Sequence, residues 1–176
     1  MKYIFDFDRV LFHTEIIRDR IFYFFEKFGV PKEEIKNYLQ KERWNLFSLK
    51  KMLRNFSLPE NLYGEIMKEN KNLVDKNLLK LIKKIGKENC YILSYGDTEF
   101  QSEKINDSDI SQYFTRVIII QADKNKEIEK ICNQYPQETI FFIDDSQKHI
   151  EELDLEKCPN LKTILFKGQN IESYLQ

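Results

Sequence analysis

The sequence predicts an α/β fold, a Rossmann-like doubly wound parallel sheet of five strands with a helical segment inserted into it. Three observations predict it: five short apolar runs, helically spaced stretches between the later runs, and a long interval without strands between the first run and the second. Apolar runs that are nearly continuous rather than alternating mark strands buried on both faces, and helices recurring between them supply the cover.

The first run is Tyr3 to Phe5, followed by Cys90 to Leu93, Val117 to Ile120, Thr139 to Ile143 and Thr163 to Phe166. Between the later ones, Lys126 to Tyr135 places Ile128, Ile131 and Cys132 on one helical face, and Gln147 to Leu153 also has helical spacing. The interval from Phe5 to Cys90 reads as helices throughout. An aromatic-rich one covers Ile16 to Phe28 and ends at Gly29-Val30-Pro31, and a second follows Pro31. A third lies near Leu46 to Phe56, a fourth begins after Ser57-Leu58-Pro59, and a fifth from Asp75 to Ile85 returns the chain to the sheet. The expected organisation is therefore a core of residues 1–12 and 73–176 with an insertion of residues 13–72 packed over the sheet edge. Phe22, Phe24, Phe25 and Phe28 read as that insertion's own core, and Trp44 as packed within it.

A chain of 176 residues with 41% hydrophobic content supports one sizeable core with a modest insertion. The 28 Lys and Arg nearly cancel the 29 Asp and Glu, so no overall field draws nucleic acid or an acidic membrane. Cys90, Cys132 and Cys158 are far apart and odd in number, which argues against a disulfide framework or a zinc site and for reduced thiols. Two aspartates inside the N-terminal apolar stretch exclude a secretory signal, and no run has the length of a membrane span. The expectation is a soluble cytoplasmic protein, monomeric by default.

Chemistry concentrates where strands end. Asp6 and Asp8 stand at the carboxyl end of the first run, the edge where open α/β sheets place their sites. Asp144 and Asp145 follow the fourth run in the same way. If the two strands are neighbours, these carboxylates converge, and such a cluster is tolerable around a hard cation with oxygen ligands, of which magnesium is the natural choice in cytoplasm. Either pair alone also fits a helix cap or turn. Ser94 and Tyr95 close the second run, where a hydroxyl and flexible backbone amides suit phosphate oxygens. Lys124 lies at a strand–helix junction after the third run, able to neutralise a transferring phosphoryl group, with Lys126 as an alternative.

These four stations, in this order, resemble the haloacid dehalogenase superfamily of hydrolases, over essentially the whole chain. The segment FDFDRVLF looks like that family's first motif. The resemblance puts Asp6 in the place of the nucleophile that becomes an aspartyl-phosphate, and Asp8 in that of the general acid/base. It puts Ser94 in the phosphate-binding second motif, Lys124 in the third, and Asp144 and Asp145 in the acidic fourth. Asp6, Asp144 and the Asp8 main-chain carbonyl would then hold magnesium, with Asp145 ligating directly, through water, or orienting Lys124. The helical insertion is similar to the family's cap. The family's dehalogenases lack an aspartate at the place of Asp8, so the resemblance implies a phosphatase acting on a small phosphorylated metabolite, without nucleic acid or membrane partners. A phosphomutase using the same nucleophile and a non-catalytic binding module are the competing readings. One departure is Arg9-Val10, where the family commonly has Gly-Thr; Arg9 reads as pointing outward, with phosphate contact as the alternative. His13 reads as a hinge or surface residue, and His149 as solvated on its helix.

Overall fold

The computed structural model describes residues 1–42 and 46–172; Trp44 lies outside them. The strands are β1 (Lys2–Phe5), β2 (Cys90–Tyr95), β3 (Arg116–Ile120), β4 (Ile140–Asp144) and β5 (Leu161–Leu165). All pair in parallel in the order β3-β2-β1-β4-β5, which is the predicted doubly wound sheet. From β1 the chain runs outward through β2 to β3, then crosses to β4 and β5 on the other side. The strand order thus reverses beside β1, and open sheets form their crevice at that switch point.

Burial follows position in the sheet. β1, β2 and β4 are almost wholly buried, whereas the edge strands β3 and β5 are mostly half-buried or exposed, with Ile118 and Ile164 their buried residues. That is why Lys162 is tolerated within β5, a strand that begins two residues before the apolar run marking it. β2 extends to Tyr95 because Ser94 and Tyr95 pair with Ile119 and Ile120, contacts that depend on the neighbouring strand and not on hydrophobicity.

Eight described helices surround the sheet: α1 (Thr14–Lys27), α2 (Lys32–Lys41), α3 (Leu49–Asn55), α4 (Leu62–Met67), α5 (Lys76–Ile85), α6 (Thr98–Asp107), α7 (Asn125–Gln134) and α8 (Gln147–Glu151). α5 begins where the Asp75 carboxylate accepts from the Asn77 and Leu78 N–H groups, and it stops at Gly86, whose φ of 94° suits a residue without Cβ. α7 buries Ile128, Ile131 and Cys132, the face read from the sequence. α6 matches no apolar run. It starts at Asp97, whose side chain accepts from Phe100 N–H at 3.0 Å, and its buried stripe is Phe100, Gln101, Lys104 and Ile105.

Helices α1 to α4 occupy the long interval. Ile17, Ile21 and Phe25 of α1 pack with Ile35, Met52, Leu53 and Ile66, and this core is continuous with Phe5, Phe7 and Leu11 beneath it. Arg20 ties α1 to α4 by donating to the Ile66 and Lys68 carbonyls. Phe22 and Phe24 are partly buried, while Phe28 is 49% exposed, because it falls at the C-cap as α1 turns away from the core. The three cysteines are buried and unpaired. No described helix is long and apolar enough to cross a membrane.

Candidate active site

The pairing of β1 with β4 sets Phe5 beside Ile143, so Asp6 and Asp144, one residue further on, arrive together at the carboxyl edge. The Asp6 N–H continues the ladder, donating to the Ile143 carbonyl at 2.8 Å. Asp6, Asp144 and Asp145 offer carboxylate oxygens that all lie within 4.8 Å of one another. Asp144 is fully buried and Asp6 nearly so, at 6% exposure.

Lys124 answers part of that charge. Its buried ammonium donates to Asp6 Oδ1 at 2.5 Å and to Asp144 Oδ2 at 2.6 Å. Lys126 is exposed, because two residues further along α7 turn it away from the sheet. Burial pushes the Asp6 carboxyl up, to about 7, and the charges of Asp144 and Asp8 add to this against the pull of Lys124. Burial also acts to raise Asp144. The hydrogen bond from His149, the Lys124 ammonium and the Ser146 N–H together outweigh it and hold that carboxyl down at about 2.

His149 is not a solvated side chain. Ser146 caps α8 by accepting from His149 N–H at 3.3 Å, and that turn swings the imidazole back so that Nδ1 lies 3.0 Å from Asp144 Oδ2. Arg9 points outward, with a side chain 66% exposed, and its Nη1 lies 3.4 Å from Asp145 Oδ2. Its backbone is left-handed, with φ 59°, in the turn that brings the Arg9 N–H to the Phe12 carbonyl at 2.8 Å. A residue with a Cβ holds that conformation at a cost of roughly 1 kcal/mol. His13 caps α1 where the chain leaves the sheet, with its N–H on the Leu73 carbonyl and its ring near Glu15.

Asp8 is held differently from Asp6. Its Oδ1 accepts from Thr14 Oγ1 and from Lys104 Nζ, both at 2.5 Å, and its Oδ2 accepts from Gln101 Nε2 at 2.6 Å. Burial would raise this carboxyl, but the Lys104 ammonium and these hydrogen bonds prevail and keep it below the ordinary carboxylate range. Sequence reading missed Lys104 and Gln101. Lys104 lies four residues after Phe100 and three after Gln101, on one helical face, but that spacing alone does not say what the face covers.

Ser94 is fully buried, and its hydroxyl has no partner among the described residues. A buried hydroxyl left so costs about 1–3 kcal/mol, and Ser94 does not line the crevice that the neighbouring Tyr95 enters. Tyr95, 44% exposed, stands 6.4 Å from the His149 ring. A crevice of about 620 Å³ joins Asp6, Asp8, Arg9, Tyr95, Lys124, Asp145 and His149. No described residue of 13–72 lines it.

Solved structures share this architecture. A structure described as a haloacid dehalogenase-like hydrolase from Burkholderia xenovorans superposes with a TM-score of 0.75 at 18% identity, covering 98% of this chain and 84% of that one. The HAD-hydrolase YfnB from Bacillus subtilis, bound to magnesium, gives 0.55 at 16% identity, with coverage of 92% and 84%. A structure described as a β-phosphoglucomutase from Thermotoga maritima gives 0.59 at 16% identity, with coverage of 99% and 90%. No protein-family model and no curated protein matches the sequence. The chain has the haloacid dehalogenase-like fold.

Proposed function

We propose that this chain is a magnesium-dependent phosphatase that hydrolyses a small phosphomonoester through an aspartyl-phosphate on Asp6. The observation that carries the reading is the convergence of Asp6, Asp144 and Asp145 around Lys124 at the switch point of the sheet. The donor set fits the metal: three carboxylates, without sulfur or imidazole among the cluster's ligand atoms, suit a hard cation. Asp6, Asp144, Asp145 and the Asp8 main-chain carbonyl are the groups that would hold it. Bound magnesium supplies positive charge against the transferring phosphoryl oxygens.

The chain's own groups do the rest. An ionised Asp6 oxygen forms the bond to phosphorus as the ester P–O bond breaks, and the departing oxygen takes the proton of the phosphomonoester monoanion, relayed through Asp8. Water then forms the new bond to phosphorus and gives its proton to Asp8, the Asp6 bond breaks, and inorganic phosphate leaves. Ser94 Oγ and Lys124 Nζ steady the phosphoryl oxygens.

The test is phosphate release from p-nitrophenyl phosphate and a panel of metabolite phosphates, with and without magnesium, for wild type and Asp6→Asn. Magnesium-dependent release lost in Asp6→Asn is expected. Equal inactivity of two folded proteins that bind magnesium would move the assignment to a mutase or a binding module.

A further inference from the structure

Lys104 is buried on α6, 1% exposed, and among the described residues Asp8 is its one ion-pair partner, at 2.5 Å. A lysine is almost never buried this deeply without dedicated partners. Here they are the Asp8 carboxylate and three rings, with Nζ at 4.9 Å from the Phe100 centroid, 5.5 Å from Phe7 and 5.8 Å from Phe12. Phe7 and Phe12 stack on each other at 4.9 Å and belong to the turn that carries Asp8. The ammonium is thus boxed at a defined point under that turn, with cation–π attraction on its apolar sides.

Gln101 makes the arrangement specific. It lies three residues before Lys104 on the same buried stripe and donates Nε2 to Asp8 Oδ2 at 2.6 Å and to the Tyr95 carbonyl at 3.0 Å. One face of α6 therefore grips both carboxylate oxygens of Asp8, which leaves the side chain no free rotation. Stability does not require such a pair, because apolar residues of similar volume commonly replace a buried ion pair at no cost. What the pair supplies is direction.

We infer that Lys104 is a positioning residue: from beneath the site, with Gln101, it fixes the Asp8 carboxylate in the orientation from which it exchanges protons with substrate and water. The inference takes its chemistry from the phosphatase reading. Its geometry is independent of that reading.

The experiment compares Lys104→Met, Asp8→Asn and the double variant in kcat and KM for p-nitrophenyl phosphate and in urea unfolding. Lys104→Met should lower kcat about 10- to 100-fold with KM nearly unchanged. In the Asp8→Asn background it should change kcat less than about twofold, because residues acting as one unit are not additive. If the two losses multiply, Lys104 is merely structural and the inference is overturned. Should Lys104→Met fail to fold, Gln101→Leu gives the same comparison. If wild type releases no phosphate at all, the phosphatase reading falls alone, and the pair is judged by crystal structures of wild type and Lys104→Met: an Asp8 carboxylate that leaves its orientation in the variant upholds it, and one that keeps it overturns it.

Discussion

Lys124 places one ammonium within 2.5 Å of Asp6 and 2.6 Å of Asp144, a single positive charge shared by two buried carboxylates. With Asp145 beside them the acidic side is in excess, since the Arg9 tip that faces Asp145 is largely solvated. A cluster in this state is stable only to the extent that Lys124 and a bound cation offset it.

Lys124→Met should therefore cost about 3–5 kcal/mol in metal-free protein, the usual consequence of leaving a buried carboxylate without its partner. Saturating magnesium should recover part of that loss, because the cation restores positive charge to Asp6 and Asp144. Urea unfolding with and without magnesium measures both. A loss below about 0.5 kcal/mol, the level of an ordinary surface change, would show that Lys124 does not neutralise the cluster.

Stability should also vary with pH in a way that names Asp6. Its carboxyl sits at about 7 in the folded chain against 3.8 ordinarily, so between those values the folded state binds more protons and stability falls as pH rises. Asp144 acts in the opposite sense: held at about 2, it contributes stability above its ordinary 3.8 that is lost as pH falls toward 2. Metal-free protein should accordingly be most stable near about pH 4, weaken progressively up to about pH 7 and level off above it. Asp6→Asn has no such proton to lose, and should gain about 1–3 kcal/mol over wild type at about pH 8 while flattening the slope. Magnesium, which competes for the ionised carboxylate, should stabilise wild type more at the alkaline end. An unchanged slope in Asp6→Asn would exclude Asp6 as its source.

What was legible in the sequence was whatever depended on local pattern. β1 and β4 announce themselves as apolar runs ending in aspartates, and their adjacency follows from the doubly wound topology, so Asp6, Asp144 and Asp145 were visible together. Gln101 and Lys104 were not, because polar residues on a helix normally face water and nothing local says that this stripe lies under Asp8. His149 was misread for a related reason. Its contact with Asp144 exists because Ser146 starts α8 just after β4 and the first turn folds back over the strand's end. Arg9 is largely exposed, as an outward-pointing side chain should be, and nothing in the sequence signals that its tip lies beside Asp145.

His149→Ala should weaken magnesium binding about 10- to 100-fold, since partners that orient a ligating carboxylate typically matter by that factor. The unfolding midpoint without metal should also fall modestly, because the buried Asp144 carboxylate loses one of its donors while Lys124 and the Ser146 N–H remain. Magnesium titration followed by calorimetry separates the two effects. An unchanged affinity would show that Asp144 keeps its orientation from Lys124 and the Ser146 N–H alone.

Gly96→Ala probes the support of Asp8 from the opposite direction. A Cβ on Gly96 would meet Gln101 Nε2 at 2.6 Å and Cγ at 2.9 Å, so the Gln101 side chain must shift and Asp8 Oδ2 loses its donor. Overpacking of this kind costs about 1–3 kcal/mol, and kcat should fall with it. Adding Gln101→Ala vacates the space that the methyl needs. The double variant should therefore recover the part of the stability lost to that clash but not the part due to the φ of 157° at Gly96, which residues with a Cβ rarely adopt, while kcat stays low because the carboxylate still lacks Gln101. Recovery of both together would mean that Gln101 only fills volume, and recovery of neither would place the strain of Gly96→Ala in the backbone after β2.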